Sequence, residues 1–169
     1  WVKVIQSGAD RIIVDAILHG ELSEVKGLYN KLGSQAVIAS IPVVMGVNGP
    51  EWFNYKSKAI VPFSDSTKKL LEKGSVSEVM LTDVLHEGYP IGFDSALIDS
   101  FPYKNIQLIA FGGISNAEQI RELLENPNVA AISVGNFLNY REHAIQQFKE
   151  ALSSSSLRPP KYTNGFHYA

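Results

Sequence analysis

Apolar residues along this chain fall into two alternating patterns. Short, β-branched runs recur at "RIIVDA" (11–16), "AVIASI" (36–41), "EVMLTDV" (78–84), "IQLIAF" (106–111) and "VAAISVG" (129–135). Runs of this kind predict strands buried on both faces, as in a parallel sheet. Between them the spacing becomes helical. "ELSEVKGLYNKLG" puts Leu22, Val25, Leu28, Tyr29 and Leu32 on one face. "SDSTKKLLEKG" offers Ser64 or Ser66 as a cap and Gly74 as a stop. "DSALIDSF" is a short segment, and "NAEQIRELLEN" places Ile120, Leu123 and Leu124 inward behind a Ser115 or Asn116 cap. The longest, "NFLNYREHAIQQFKEAL", turns Phe137, Tyr140, Ile145, Phe148 and Leu152 inward.

A helix followed by five strand–helix units predicts the α/β class, with a parallel sheet and right-handed crossovers. Residues 42–63 depart from the rhythm. Their turn signals, Val47-Asn48-Gly49-Pro50, predict a hairpin inserted in a strand–helix loop. Residues 153–169 are Ser- and Pro-rich and read as a tail, mobile or draped over the body. Five such strands suit an open doubly wound sheet or part of a (β/α)8 barrel. A complete barrel needs eight units and about 250 residues. "WVKVIQSGAD" reads as the last turns of a helix stopped at Gly8, with no Met or N-cap ahead of it. The expectation is a barrel portion that starts partway through a larger fold.

Composition narrows the function classes. The 169 residues are 45% hydrophobic and 19% charged, with a net charge of -2. That is ordinary globular usage and enough chain for one core. The near-neutral balance provides no electrostatic footprint for nucleic acid. No apolar run approaches the roughly 18 residues of a membrane helix, and no secretory pattern is present. A cytoplasmic protein is expected. There is no cysteine, hence no disulfide framework or thiolate nucleophile. No histidine pair has metal-ligand spacing, and neither a P-loop nor a G-x-S-x-G elbow occurs, so no metal or cofactor is expected.

In either architecture ligands bind at the C-terminal ends of the strands. Gly112–Gly113 closes one strand and precedes a helix, and Gly135–Asn136 repeats the arrangement in the next unit. Glycines ahead of two adjacent helix N-termini make an anion cradle, because outward amides and the helix dipole favour negative charge. The competing reading is a pair of tight turns. Gly113→Val is expected to weaken phosphate binding without unfolding the chain. The loop "TDVLHEGYPIGFD" (82–94) carries Asp83, His86, Glu87 and Asp94 beside Gly88 and Gly92. It reads either as a source of an acid or base or as a solvated loop in which Asp94 caps the next helix.

Taken together, "SGADRIIVDA", "LGSQAVIASI", "SEVMLTDVLHEGYPIGFD", "LIAFGGISNAEQI" and "VAAISVGNFLNYRE" resemble the cyclase subunit of imidazole glycerol phosphate synthase, a histidine-biosynthesis (β/α)8 barrel. The resemblance runs over residues 5–150 and implies that residues 1–152 cover family strands 4 to 8. It implies a heterodimeric glutaminase partner that delivers ammonia through the barrel to a phosphorylated ligand at the far face. Asp10 then matches an acidic residue of the glutaminase interface. Arg11 and Glu78 match members of a charged gate at the barrel entrance. Gly112, Gly113, Gly135 and Asn136 match the family's second phosphate site. Glu87 and Gly88 match its acidic loop residue and the glycine beside it.

Two positions depart from the family. Its catalytic Asp at the end of strand 5 corresponds to Pro42, and the Asn-Thr pair of its first phosphate site corresponds to Asp15-Ala16. A carboxylate there repels phosphate. Glu87 or Asp83 would have to serve as a substitute base. The resemblance thus implies a kept lower face and a rewritten upper face, as in relatives thought to serve surface-polysaccharide amidation. Two alternatives stay open: an active histidine-pathway cyclase, and a non-catalytic barrel that binds one phosphorylated ligand.

Overall fold

The computed structural model describes residues 2–20, 22–140, 142–152 and 157–162. Helix α1 (Val2–Gln6) leads into strand β1 (Ile12–Val14), a 3-10 turn (Ala16–His19) and helix α2 (Ser23–Leu32). A second 3-10 turn (Ser34–Ala36) enters β2 (Val37–Gly46), followed by β3 (Gly49–Asn54), β4 (Ala59–Val61) and α3 (Asp65–Glu72). Then come β5 (Glu78–Asp83), α4 (Ala96–Ser100), β6 (Gln107–Phe111), α5 (Ala117–Leu124) and β7 (Val129–Ser133). A 3-10 turn (Asn136–Tyr140) and α6 (Ala144–Leu152) complete the order.

Strand order decides between the two architectures. The parallel strands lie as β1-β2-β5-β6-β7, each beside the next parallel strand in the chain. A doubly wound sheet reverses direction at a switch point; this one does not. It is the singly wound arc of a (β/α)8 barrel. Val37, Ala39, Ile41, Val79, Leu81, Leu108 and Ala110 form one face and pack with Leu22, Val25, Leu28, Leu70, Leu71, Ile120 and Leu123. Side chains alternate along each strand, so Ile38, Ser40 and Pro42 line the concave face. At the arc's edge, Ile13 of β1 is 50% exposed.

β2 does not end at Ile41, where the β-branched run 36–41 placed its limit. It runs on to Gly46 and itself forms the first arm of the hairpin with β3. Pro42 does not interrupt it. Ala39 is the last residue paired to β1 and Val43 the first paired to β3. Pro42 falls between, where the edge carries no ladder bond to lose. Trp52 of β3 anchors the hairpin, stacked against His19 at 3.9 Å and Phe63 at 4.8 Å.

The helices follow their caps. Ser64 Oγ accepts from the Thr67 amide at 3.1 Å, and Asn116 forms a capping box with Gln119. Two inward assignments are corrected: Leu124 and Ile145 are each 39% exposed, because Leu123, Ala144 and Phe148 supply the buried positions. The last predicted helix is broken. Phe137 lies in the 3-10 turn, and His143, at φ 56°, separates that turn from α6. The Tyr140 side chain lies outside the described residues, as do 153–156 and 163–169 of the tail. The described part of the tail follows α6, with Gln146 donating to the Lys161 carbonyl at 3.2 Å.

Candidate functional site

A cleft of about 550 Å³ opens at the C-terminal ends of β6 and β7. Gly112, Gly113, Ile114 and Ser115 line one side, and Ser133, Gly135, Asn136 and Phe137 the other. Glu87, Gly88, Tyr89 and Pro90 close it from the loop after β5. The residues singled out from sequence as a phosphate cradle thus share one cavity. Gly88 and Asn136 touch directly: the Asn136 amide donates to the Gly88 carbonyl at 3.3 Å.

The glycines also answer to packing. Gly112 and Gly113 have φ of 115° and 73°. A Cβ on Gly112 would lie 2.7 Å from the Asp83 carbonyl, and one on Gly113 2.3 Å from the Gly92 carbonyl. The turn reading therefore holds at both positions, and the expectation that Gly113→Val leaves folding intact is overturned. The amides of the two residues ahead of α5 and its third amide, Gln119 N, which donates to Asn116 Oδ1 at 3.0 Å, are engaged in the cap. Ser115 N and Asn116 N approach Gln119 Oε1 at 2.9 and 3.3 Å. The second element is a five-residue 3-10 turn rather than the N-terminus of an α-helix.

The loop after β5 folds back on its strand. Asp83 is 2% exposed. Its Oδ1 accepts from the His86 amide at 3.3 Å and its Oδ2 from the Asp94 amide at 2.9 Å. Asp94 Oδ1 in turn accepts from the Ala96 amide at 3.0 Å, a local turn bond, while Ser95 rather than Asp94 holds the N-cap position of α4. Glu87 accepts from the Tyr55 hydroxyl at 2.5 Å, tying the loop to the hairpin. Burial, the Glu87 hydrogen bond and nearby negative charge hold the Tyr55 phenol well above its ordinary range. Asp15 starts the turn after β1. Burial raises its carboxyl, against the lowering effect of His19, while burial lowers the His19 imidazole.

At the opposite end of the sheet, Arg11 enters β1. Its guanidinium pairs with Glu78 of β5, reaching past the start of β2. The same side chain donates to the Gln35 carbonyl at 3.1 Å and to Ser77 Oγ at 2.5 Å. Asp10 is exposed beside it.

The histidine biosynthesis protein family matches residues 2–144. The chain belongs to that family. It is 22% identical over 160 residues to an imidazole glycerol phosphate synthase subunit HisF of Caulobacter vibrioides, covering 92% of this chain and 61% of the relative. The subunits of the same name from Natranaerobius thermophilus and Dictyoglomus thermophilum are 22% and 23% identical, each over 92% of this chain and 62% of theirs. The chain thus spans about three fifths of the length of these relatives. Membership of the histidine biosynthesis family and the singly wound strand order agree on a barrel fold. No helix among the described residues is long and apolar enough to cross a membrane.

Within this family member, the Pro42 position is level with Thr82 of β5, one residue before Asp83. It carries no group that takes or gives a proton. Sequence reasoning gave no site role to Tyr55 and placed Phe137 on an inward helix face rather than in the cleft. The Tyr55–Glu87 contact joins residues 32 apart through the curl of the hairpin, for which no local signal exists. The cleft position of Phe111 follows only once β6 is placed beside β7.

Proposed function

We propose that this chain is part of a cyclase-like barrel subunit that receives ammonia from a glutaminase partner and binds a phosphorylated sugar or nucleotide, with the cyclase chemistry altered. The observation that carries this reading is the contrast between the two ends of the sheet. At the N-terminal end the Arg11–Glu78 pair is in place where the resemblance expects a gate, with Asp10 exposed at the rim. At the C-terminal end Pro42 stands on the concave face where the resemblance expects an Asp. The phosphate is assigned to the cleft of Gly88, Gly112, Gly113, Gly135 and Asn136. The backbone amides of the glycine turns are the donors this reading assigns to the phosphate. Asp15 opposes a second phosphate at the loop after β1, so the ligand is anchored at one end. An amidation reaction of the surface-polysaccharide type fits a singly anchored acceptor.

The full-length protein incubated with ammonium salts and a bisphosphorylated ribonucleotide is expected to give no cyclised product. It is expected to co-purify with a glutaminase, and Asp10→Arg at the exposed rim should weaken that association. Cyclisation would favour an active cyclase with Glu87, at the lip of the cleft, as its acid or base. No association and no effect of Asp10→Arg would favour a non-catalytic phosphate-binding barrel.

A further inference from the structure

Charge in the cleft is one-sided. Glu87 is the carboxylate that lines it, and among the described residues no Lys, Arg or His does. The polar side chains beside it are Ser115, Ser133 and Asn136, and Tyr89, Phe111 and Phe137 give the cleft aromatic walls. Glu87 also has no ion-pair partner among the described residues. Its Oε2 accepts from the Tyr55 hydroxyl at 2.5 Å, a neutral donor that brings no positive charge. The backbone of Glu87 is fixed as well. Its amide donates to the Asp83 carbonyl at 2.9 Å, and the carbonyl of the next residue, Gly88, accepts from the Asn136 side chain at 3.3 Å. The carboxylate is therefore held at the lip, beside the glycine turns, rather than carried on a free stem.

A phosphate bound here by backbone amides brings negative charge to a site that already holds a carboxylate. In a cleft of about 550 Å³ the two charges lie within about a Debye length of each other, ~10 Å at 0.1 M salt, so their repulsion is not fully screened. A hydroxyl of the ligand can donate to Glu87 but leaves that charge unbalanced. An ammonium group donates and balances it, and charge-assisted bonds of this kind are the stronger ones. We propose that the ligand is a zwitterion: a sugar phosphate that carries a protonated amine, its phosphate on the glycine turns and its ammonium against Glu87. The inference rests on the cleft being the phosphate site. Tyr55 is a positioning residue in this arrangement. It occupies one acceptor site of a carboxylate that has about four, so the ammonium still finds a partner. The aromatic walls take the apolar face of the sugar ring, as in pockets where a few polar groups fix orientation.

The test compares glucosamine 6-phosphate with glucose 6-phosphate, which differ by an amine in place of one hydroxyl. Both are titrated into the full-length protein at mildly acidic pH and low salt, with affinity read by calorimetry and the Gly113 and Gly135 amides followed by NMR. Glu87 is exposed at the lip, so the wild type should prefer the amino sugar by about three- to tenfold rather than by orders of magnitude. Glu87→Gln keeps an acceptor for the Tyr55 hydroxyl and removes the charge. In that variant the two affinities should fall within about twofold of each other. Equal binding of both probes by the wild type, with the Gly113 and Gly135 amides responding, would overturn the proposal. So would a preference that survives Glu87→Gln. The wild-type comparison stands by itself if the variant does not fold. If those amides respond to neither probe, the ligand-site reading fails and the zwitterion assignment fails with it.

Discussion

The amide of Gly92 donates to the carbonyl of Gly113 across 3.0 Å, stitching the loop after β5 to the turn after β6. The contact is close because neither residue has a side chain there, and Gly113 holds φ 73°. An added methyl group meets the Gly92 carbonyl and the left-handed backbone penalty at once. Gly113→Ala is therefore expected to cost about 2–3 kcal/mol. Gly74, at φ 64° with open space around its Cβ position, isolates the backbone part. Gly74→Ala should cost about 1 kcal/mol. Urea unfolding of both variants checks the difference, and equal losses would refute the packing argument. Ligand binding by Gly113 variants is interpretable only after this loss of stability is measured.

The Tyr55–Glu87 hydrogen bond gives the hairpin a pH limit. The folded-state pKa of Tyr55 is raised above its ordinary 10.0, chiefly by burial and then by Glu87. The folded state therefore keeps the phenolic proton longer than the unfolded chain does. Its contribution is complete below about pH 10 and is lost as the pH rises from there towards the folded value. Tyr55→Phe should remove this dependence and lower stability at neutral pH by about 0.5 kcal/mol, since the contact is partly exposed. Amide exchange in β3 and β4, compared between pH 8 and pH 10.5, should rise more steeply in the wild type than in the variant.

Much of the fold was legible because buried strands declare themselves by chemistry. "IQLIAF" and "EVMLTDV" could hardly cover a helix face without wasting apolar area, and both are strands. Asn116 was readable as a cap because its partner is three residues away. What stayed hidden depends on distant pairing. The run 36–41 reads as a complete strand, yet β2 continues through Pro42 because the gap between its β1 and β3 partners falls there. Leu124 and Ile145 have the right spacing for burial, but neighbouring positions fill the available space. At the site, Gly112–Gly113 was visible as a special backbone. That its special conformation serves Asp83 and Gly92 as well as the cleft was not, because those contacts cross from one loop to another.

Asp15 offers a test of how the upper face differs from its relatives. Burial raises its carboxyl above the ordinary 3.8, and His19 only partly counters this. A raised carboxylate favours the fold while protonated; that contribution is present at low pH and lost as the pH rises through the folded value. At neutral pH the half-buried charge weakens the fold. Asp15→Asn should thus raise the unfolding midpoint at pH 7 and leave it unchanged at pH 3. The same change removes a negative charge from the loop after β1, at the end of the sheet where the cleft opens. Affinity for a bisphosphorylated sugar should rise several-fold, with affinity for a monophosphorylated one little altered, as calorimetry can read. Equal gains for both ligands would disconnect Asp15 from the second phosphate.

Arg11 binds three acceptors with one fork: the Gln35 carbonyl, Ser77 Oγ and the Glu78 carboxylate. The planar guanidinium reaches all three together, whereas a lysine ammonium is a single point on a flexible stem. Both partners of the ion pair keep some exposure, 38% for Arg11 and 18% for Glu78, so solvent screening limits its worth. Arg11→Met should cost about 1 kcal/mol, much of it from leaving the Glu78 charge half-buried without its partner. Arg11→Lys should recover less than half of that loss. In a double-mutant cycle with Glu78→Gln the coupling should fall between about 0.3 and 1 kcal/mol and shrink in high salt. Full recovery by Lys would mean that charge alone matters at this end of the sheet. A salt-independent cycle would mean that the three-way fork is a packing device rather than an ion pair.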